Sequence, residues 1–265
     1  MAQKASLTVV GTGIKFASQL TPEAEGYIRQ ADKLFYVVPG PFADEWLTKL
    51  NPTAESLAGL YAEGKKRLDT YEEMANTILT AVRQDQKVCA IFYGHPGVFA
   101  IPSHEAIRLA RAEGYAAQML PGISAEDCLF ADLGIDPGIY GCQSFEATDF
   151  LVRQRRFDPY SHLVLWQVGI IGEVKRGKPQ SKVGIQLLAQ TLRKTYEPTH
   201  EVVVYEAARY PIHAPRIERL TLATLGDMTP PLLSTLYVPP KGEAPLNQAI
   251  MDHLNLTIDD VLKQW

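Results

Sequence analysis

The chain has 265 residues and a mass of 29.4 kDa, which is enough for one large domain or two ordinary ones. Hydrophobic residues make up 46% and charged residues 21% of it, a composition that excludes a disordered, collagen-like or coiled-coil chain. The 26 lysines and arginines against 30 aspartates and glutamates give a formal net charge of −4, which argues against a mainly electrostatic nucleic-acid binder.

The sequence predicts a cytoplasmic protein with no membrane span. The longest stretch without acidic residues, lysine or arginine covers residues 88–104, and two glycines and two prolines interrupt it. Residues 1–13 pass from a short polar leader into an apolar run, without the hydrophobic region and cleavage site of a signal peptide. Because Cys89, Cys128 and Cys142 show no CxxC spacing, we expect core thiols and neither a disulfide nor a metal site.

The first half of the chain alternates apolar runs with helical patterns, which indicates an α/β domain with a largely parallel sheet. The predicted strands are residues 5–10, 33–38, 88–93 and 116–120. The predicted helices are residues 21–32, 42–50, 70–86, 103–113 and 124–133. The first helix has a typical start, with Thr21 as the cap, then Pro22 and Glu23.

A turn-rich stretch at residues 134–138 marks the predicted boundary between a domain of residues 1–136 and a second of residues 137–265. The second domain is predicted to have strands at residues 163–168, 201–207 and 233–238, with a helix at 185–196. The segment 172–182, which is rich in lysine and arginine, predicts a loop that is either a solvated loop, which we favour, or a surface lid or docking patch. Residues 258–265 predict a short helix that either packs on the body of the protein, which we favour, or forms part of a docking surface.

Glycines follow several predicted strands, where ligands bind in open α/β sheets. Gly11 and Gly13 would let the backbone approach a nucleotide-like ligand. A dinucleotide fingerprint needs a third glycine where Phe16 stands, so binding of NAD is disfavoured. The loop YGHPGVF at residues 93–99 follows another strand and offers a phenol and an imidazole as polar groups.

Two other segments leave alternatives open. The helix that begins near Ser124 has an amino terminus suited to a polar ligand, but Ser124 and Asp127 would equally form a plain capping box. If the helix before the third strand includes Arg67, that residue and Tyr71 lie four apart on one face. If Asp69 is instead the cap, Arg67 belongs to the preceding loop, and the spacing does not choose.

Several segments together carry a family resemblance: GTG at 11–13, RLDTY at 67–71, YGHPGVFA at 93–100, PGISAEDCLFADLGIDP at 121–137, LWQVG at 165–169 and STLYVPP at 234–240. The chain resembles the tetrapyrrole methylase superfamily and, within it, the borosin peptide backbone α-N-methyltransferases. The resemblance covers residues 7–240. It implies two α/β domains of the class III methyltransferase type, with S-adenosylmethionine bound in the cleft between them and S-adenosylhomocysteine as product, in a homodimer.

The resemblance also implies which residues form the site. The implied donor-binding residues are Tyr93, His95, Val98, Phe99, Ser124, Ala125, Gln167, Ala207, Ser234 and Thr235. The residues that match catalytic positions of borosin enzymes are Tyr61, Arg67 and Tyr71, and Tyr93 is expected to face the reacting amide as well. No metal is implied.

Amide chemistry gives these residue types a reason. A peptide nitrogen is a poor nucleophile because its lone pair is delocalised into the carbonyl group. Our hypothesis is that Tyr71 takes the amide proton as general base and that Arg67 favours the ionised phenol. Tyr61 or Tyr93 would then hold the carbonyl oxygen as negative charge develops on it.

Fungal borosin enzymes carry their substrate peptide as a carboxyl-terminal extension, and the sequence ends at Trp265 without room for one. The resemblance therefore predicts the split bacterial arrangement, in which a separate small precursor protein binds the enzyme in a heterotetramer. A methyltransferase for a corrin or porphyrin precursor is the nearest alternative, and the RLDTY and YGHPGVF segments argue against it. A catalytically silent scaffold that only binds the donor is the alternative from another class.

Overall fold

The computed structural model describes residues 5–173 and 182–262. The contacts within the chain divide these residues into two compact units. The first unit contains residues 5–132, residue 173 and Ala207–Pro215, and the second contains residues 133–172, 182–206 and 216–262. The predicted single boundary after residue 136 differs from this division, because Ala207–Pro215 packs with the first unit although it lies far from it in sequence. Most of the predicted loop at 172–182 lies outside the described residues.

Within the described residues, the first unit has a five-stranded sheet of order β3-β2-β4-β1-β5. Its strands are Ser6–Gly11 (β1), Lys33–Val37 (β2), Ala54–Ser56 (β3), Lys87–Phe92 (β4) and Ala116–Met119 (β5). All of the strand pairs are parallel. The prediction of a parallel sheet is therefore confirmed for the first half. Only β3 was not predicted, because its three residues are partly or fully exposed and form no apolar run.

Helices connect these strands. They are Pro22–Gln30 (α1), Ala43–Leu50 (α2), Arg67–Arg83 (α3), Ile101–Ala112 (α4) and Ala125–Leu133 (α5). The predicted cap of α1 is confirmed, since the Thr21 hydroxyl oxygen accepts a hydrogen bond from the Ala24 amide at 3.2 Å. Helix α3 buries Met74, Ile78 and Val82 completely against the sheet, which gives the first unit its main core.

The second unit has its own five-stranded sheet in the described residues, of order β6-β7-β10-β8-β9. The strands are Cys142–Glu146 (β6), His162–Trp166 (β7), Glu201–Glu206 (β8), Arg216–Thr221 (β9) and Thr235–Val238 (β10). Only β6 and β7 are parallel to each other, and the other pairs are antiparallel. Strands β6 and β9 were not predicted because both are edge strands, on which polar residues such as those of RIERLT are common.

The helices of the second unit are mostly short. They are Pro137–Tyr140 (α6), Ala147–Val152 (α7), Lys182–Leu192 (α8), Leu222–Leu225 (α9), Gln248–Leu254 (α10) and Ile258–Leu262 (α11). Helix α8 packs Ile185 and Leu188 into the core of this unit. The predicted carboxyl-terminal helix is present as α11, but Ile258 is 53% exposed, so its predicted packing is wrong for this residue. A five-residue helix offers too little apolar surface to hold it against the body.

The thiols differ in burial. Cys89 and Cys128 are buried, as predicted, and burial raises the pKa of both thiols. Cys142 lies on the edge strand β6 and is only half-buried, so the prediction of a core position is wrong for it. No helix in the part of the chain that the structure describes is long and apolar enough to cross a membrane.

Candidate active site

Three loops meet at the carboxyl ends of β1, β4 and β5 in the first unit. Gly94 donates a backbone hydrogen bond to Gly13 at 2.8 Å and accepts one from it at 3.3 Å. A Cβ atom on Gly11 would lie 2.2 Å from the carbonyl oxygen of Gly94, and one on Gly122 would lie 2.8 Å from it. Gly11 is therefore required where two loops touch, and the predicted approach of its backbone to a ligand stays a prediction.

The loop after β4 is held by its own hydrogen bonds. Nδ1 of His95 accepts from the Gly97 amide at 2.9 Å, so the neutral imidazole carries its hydrogen on Nε2. The Ser103 hydroxyl donates to the carbonyl oxygen of Pro96, and Nε2 of His104 lies 2.9 Å from the carbonyl oxygen of Gly97. The imidazole of His95 thus supports the backbone of the loop to which it belongs.

The same loop exposes large side chains at the edge of the sheet. Tyr93, Val98 and Phe99 are 42%, 43% and 49% exposed. Phe99 has a φ of 52°, in the left-handed region, which costs a residue other than glycine about 1–2 kcal/mol. Exposed apolar surface and backbone strain are both typical of binding sites. This loop is therefore the strongest candidate for ligand binding in the first unit.

Ser124 forms a reciprocal cap at the start of α5. Its hydroxyl donates to a carboxylate oxygen of Asp127 at 2.7 Å and accepts from the Asp127 amide at 3.1 Å. The backbone amide of Ser124 donates to the same carboxylate oxygen at 2.7 Å. The capping box is therefore confirmed, and donor binding by Ser124 and by Ala125, the first residue of α5, stays a prediction.

The start of α3 decides the alternative that spacing left open. The helix begins at Arg67 with Lys66 as its cap, so Arg67 and Tyr71 lie four residues apart on one face and Asp69 is not the cap. Arg67 is half-buried and has no ion-pair partner among the described residues. A cation in the first turn also faces the positive end of the helix dipole. Neither an ion pair nor the helix dipole stabilises Arg67 at this position. Its placement therefore favours a functional role.

Tyr71 lies where it can meet a substrate. It packs against the core of the first unit, as does Tyr61, which follows the short 3₁₀ helix Leu57–Leu60. Tyr71 also lines a groove of about 420 Å³ between α3 and α4, together with Leu68 and Ile101. Its side chain is therefore anchored on one side and accessible on the other.

Two neighbouring residues, Arg209 and Tyr71, influence the ionisation of Tyr93. Although the side chain of Tyr93 is partly exposed, the protein packed around its phenol excludes water and raises its pKa. The positive charge of Arg209 opposes that rise, and the negative charge of an ionised Tyr71 adds to it. Tyr93 is therefore protonated at neutral pH and is a hydrogen-bond donor. The sequence analysis did not single out Arg209, because only tertiary structure brings it to Tyr93.

The second unit places other candidate residues at one edge of its sheet. Gln167 follows β7, and Thr235 begins β10, which runs antiparallel to β7. The Val168 amide donates to the carbonyl oxygen of Ser234 at 3.1 Å and joins the two strand ends. Gln167, like Phe99, has a left-handed backbone, with a φ of 60°. Gln167, Ser234 and Thr235 thus form a second cluster of the expected residues.

Ser234 is committed to a contact within this unit. Its hydroxyl donates to a carboxylate oxygen of Glu206 at 2.6 Å, and the residue is fully buried. Glu206 is the last residue of β8, and Ala207, predicted to belong to that strand, directly follows it. The hydrogen bond fixes the end of β8 to the start of β10. Donor binding by Ala207 and Ser234 stays a prediction.

The sequence profile of the Tetrapyrrole (Corrin/Porphyrin) Methylases matches residues 6–226. The chain belongs to this family. The two α/β units predicted from the sequence are thereby confirmed as the fold of tetrapyrrole methylases. The solved structure of a cobalt precorrin-4 methyltransferase from cobalamin biosynthesis has the same fold, with a TM-score of 0.64, 16% identity, and coverage of 89% of this chain and 95% of that chain.

Curated fungal proteins are much more similar in sequence to this tetrapyrrole methylase. A protein of Gymnopus fusipes described as a methyltransferase and precursor of the ribosomally synthesized gymnopeptides is 45% identical over 274 residues, covering 99% of this chain and 64% of that protein. A methyltransferase and type I borosin cyclic peptide precursor of Coprinopsis marcescibilis is 43% identical over 260 residues, covering 94% and 66%. The chain thus spans less than two thirds of the length of these relatives.

Proposed function

We propose that this protein is an S-adenosylmethionine-dependent methyltransferase that methylates backbone amide nitrogens of a ribosomally made peptide, as in borosin biosynthesis. One observation carries the proposal. Tyr71, accessible in its groove, lies within electrostatic range of a protonated Tyr93. A base and a hydrogen-bond donor in one place are what deprotonation of an amide requires. The similarity to proteins described as methyltransferases and cyclic peptide precursors supports the same substrate class.

The residues present fit the proposed donor. Val98 and Phe99 offer half-exposed apolar surface on which a heteroaromatic ring can pack. Gln167 offers an amide that both donates and accepts hydrogen bonds, held in a fixed left-handed backbone. When bound, S-adenosylmethionine supplies a methyl group attached to a positively charged sulfur. Transfer of the methyl group breaks the C–S bond and leaves the sulfur as the neutral thioether of S-adenosylhomocysteine.

Residues of the first unit then have separate roles toward the acceptor amide. The phenolate of Tyr71 takes the proton from the amide nitrogen, and Arg67, one turn before it, supplies a positive charge on the same face of α3. The electron pair of the broken N–H bond forms the new N–C bond to the methyl group. Tyr93 donates a hydrogen bond to the carbonyl oxygen as that oxygen gains negative charge, and Tyr61 is a second candidate for this role. Tyr71 returns its proton to solvent before the next cycle.

We further propose that the peptide belongs to a separate precursor protein, which binds a homodimer of this chain in the cytoplasm to give a heterotetramer. This part rests on the expectation drawn from the sequence. The relatives described above are named as methyltransferase and precursor together, so a fused substrate is the alternative.

Intact-mass spectrometry tests the proposal. The protein is incubated with S-adenosylmethionine, alone and with each small protein encoded beside it, and any added mass is located by fragmentation. Steps of one methyl group on backbone nitrogens of a second protein support the full proposal, and the same steps on this chain support a fused substrate. If no peptide is methylated, methylation of a corrin or porphyrin precursor establishes the macrocycle alternative. Donor binding without any product establishes a silent scaffold.

A further inference from the structure

The segment Ala207–Pro215 is fixed to the first unit next to β1. The Phe16 amide donates a hydrogen bond to the carbonyl oxygen of Arg209 at 2.7 Å. The ring of Tyr210 lies 5.9 Å from that of Phe16 and 6.4 Å from that of Phe42. The backbone of Arg209 is therefore held on both sides, by a hydrogen bond and by aromatic packing.

This anchor lies close to the loop that carries Tyr93. Phe16 is three residues from Gly13, whose backbone pairs with Gly94, the neighbour of Tyr93. In agreement with this short path, the charge of Arg209 acts on the phenol of Tyr93. The backbone of Arg209 is therefore fixed beside the loop that carries Tyr93, within electrostatic range of its phenol.

The Arg209 guanidinium is exposed and makes no ion pair among the described residues. Many other exposed arginines of the protein do pair with a carboxylate: Arg29, Arg83, Arg108, Arg153, Arg155, Arg216 and Arg219. An arginine that has a fixed backbone and no carboxylate partner has a positive charge that no protein anion compensates, so it is available to another anion. Tyr93, the expected hydrogen-bond donor to the acceptor oxygen, is a group of the site on which this charge acts.

We propose that Arg209 is an electrostatic partner of Tyr93 that stabilises the negative charge developing on the carbonyl oxygen of the acceptor amide. This inference rests on the proposed function. When the amide nitrogen loses its proton, charge spreads to the oxygen, and Tyr93 donates a hydrogen bond to it. A positive charge behind the phenol polarises its O–H bond and strengthens that hydrogen bond. Arg209 acts through Tyr93 and is a positioning residue.

Steady-state kinetics of three variants test the role of the charge. Arg209→Gln is compared with Arg209→Lys and with Arg156→Gln, an exposed arginine of the second unit that also has no ion pair among the described residues. The substrate is the precursor protein that the wild type methylates. We expect Arg209→Gln to lower kcat about tenfold or more at an unchanged donor Kd, Arg209→Lys to recover part of the loss, and Arg156→Gln to have no effect. An unchanged kcat, or a loss confined to donor affinity, overturns the inference.

A titration separates this inference from the proposed function, because it needs no turnover. Tyrosines are labelled with ¹³C and followed by NMR as the pH is raised, and Tyr93→Phe identifies the resonance of Tyr93. Removal of the positive charge in Arg209→Gln is expected to move the ionisation midpoint of Tyr93 to higher pH, and Arg156→Gln is not. Equal midpoints in the wild type and Arg209→Gln overturn the inference. A shifted midpoint in a protein that methylates no peptide leaves the electrostatic pair intact and refutes the proposed function.

Discussion

The two units use their sheets differently. In the first unit every strand pair is parallel, so the loops that follow the strands lie together at one edge, and the residues with acid–base chemistry come from those loops and from α3. In the second unit most strands are antiparallel, and candidate residues are brought together where β7 ends and β10 begins. The comparison leads us to propose proton transfer for the residues of the first unit and donor contacts alone for Gln167, Ser234 and Thr235 of the second.

The strongest test of that division is Tyr71→Phe, which removes the proposed base. We expect methyl transfer to fall about 10²–10⁴-fold, because general base catalysis contributes about that much, with donor affinity and the circular dichroism spectrum unchanged. Tyr27→Phe is the matched control, since Tyr27 is a 40% exposed tyrosine on α1 of the same unit. A rate for Tyr71→Phe equal to that of the wild type would contradict the assignment of Tyr71 as the base.

Glycine substitutions compare the backbone packing of the two units. A Cβ atom on Gly11 would lie 2.2 Å from the carbonyl oxygen of Gly94, and one on Gly169 would lie 2.0 Å from that of Pro231. We expect Gly11→Ala and Gly169→Ala each to lower the free energy of unfolding by about 1–3 kcal/mol, measured with urea. Gly59→Ala is the control, because a Cβ atom there meets nothing within 4 Å. Equal stability of Gly11→Ala and Gly59→Ala would contradict the loop contact.

The variant Gln167→Ala tests the proposed contact of the second unit with the donor. We expect the affinity for S-adenosylmethionine to fall about three- to tenfold, the worth of one hydrogen bond, while kcat at saturating donor stays unchanged. Gln154→Ala is the control because Gln154 also has a left-handed backbone, with a φ of 48°, so the alanine meets similar strain. Isothermal titration calorimetry measures the affinity. A lower kcat in Gln167→Ala at saturating donor would show that the second unit takes part in the chemical step.

The smallest expected effect concerns acid sensitivity. His162 on β7 is buried, its Nδ1 lies 2.8 Å from the hydroxyl oxygen of Tyr237, and burial lowers its pKa. The unfolded chain takes up a proton near pH 6.5 that the folded chain takes up only at lower pH, so this contribution to stability is present above about pH 6.5 and is lost below it. We expect His162→Asn to show a smaller fall of the urea midpoint between pH 7 and 5 than the wild type.

The control is His104→Asn, which removes an exposed histidine of α4 in the first unit. It should keep the pH dependence of the wild type. If His162→Asn and the wild type lose stability in parallel on acidification, the buried imidazole is not the group responsible.

The sequence predicted the first sheet well because strands buried on both faces are continuous apolar runs, as in VCAIF of β4. It missed β6 and β9, whose polar residues reflect an edge position that only the complete sheet defines. The start of α3 was placed three residues late, since Lys66 caps that helix without a side-chain hydrogen bond. Local patterns therefore predict buried elements better than edges and ends.

The candidate site divides in the same way. The loop with Tyr93 and His95 was predicted at the edge of the sheet because ligands bind where parallel strands end. The influence of Arg209 on Tyr93 was not predictable, because the two residues lie more than a hundred residues apart in the chain. Chain order thus indicates which loops form a site, whereas the charges around each side chain come from the tertiary structure.

A ribosome makes residues 5–132 long before it makes Ala207–Pro215, although both belong to the first unit. The hydrogen bond from the Phe16 amide to the carbonyl oxygen of Arg209 cannot form until β6, β7 and β8 have left the exit tunnel. The first unit is therefore completed only after most of the second sheet has been synthesised. Until then, the ring of Phe16 lacks its contact with Tyr210. A nascent chain arrested before residue 207 carries an unfinished first unit with exposed aromatic surface, the kind of intermediate that chaperones recognise.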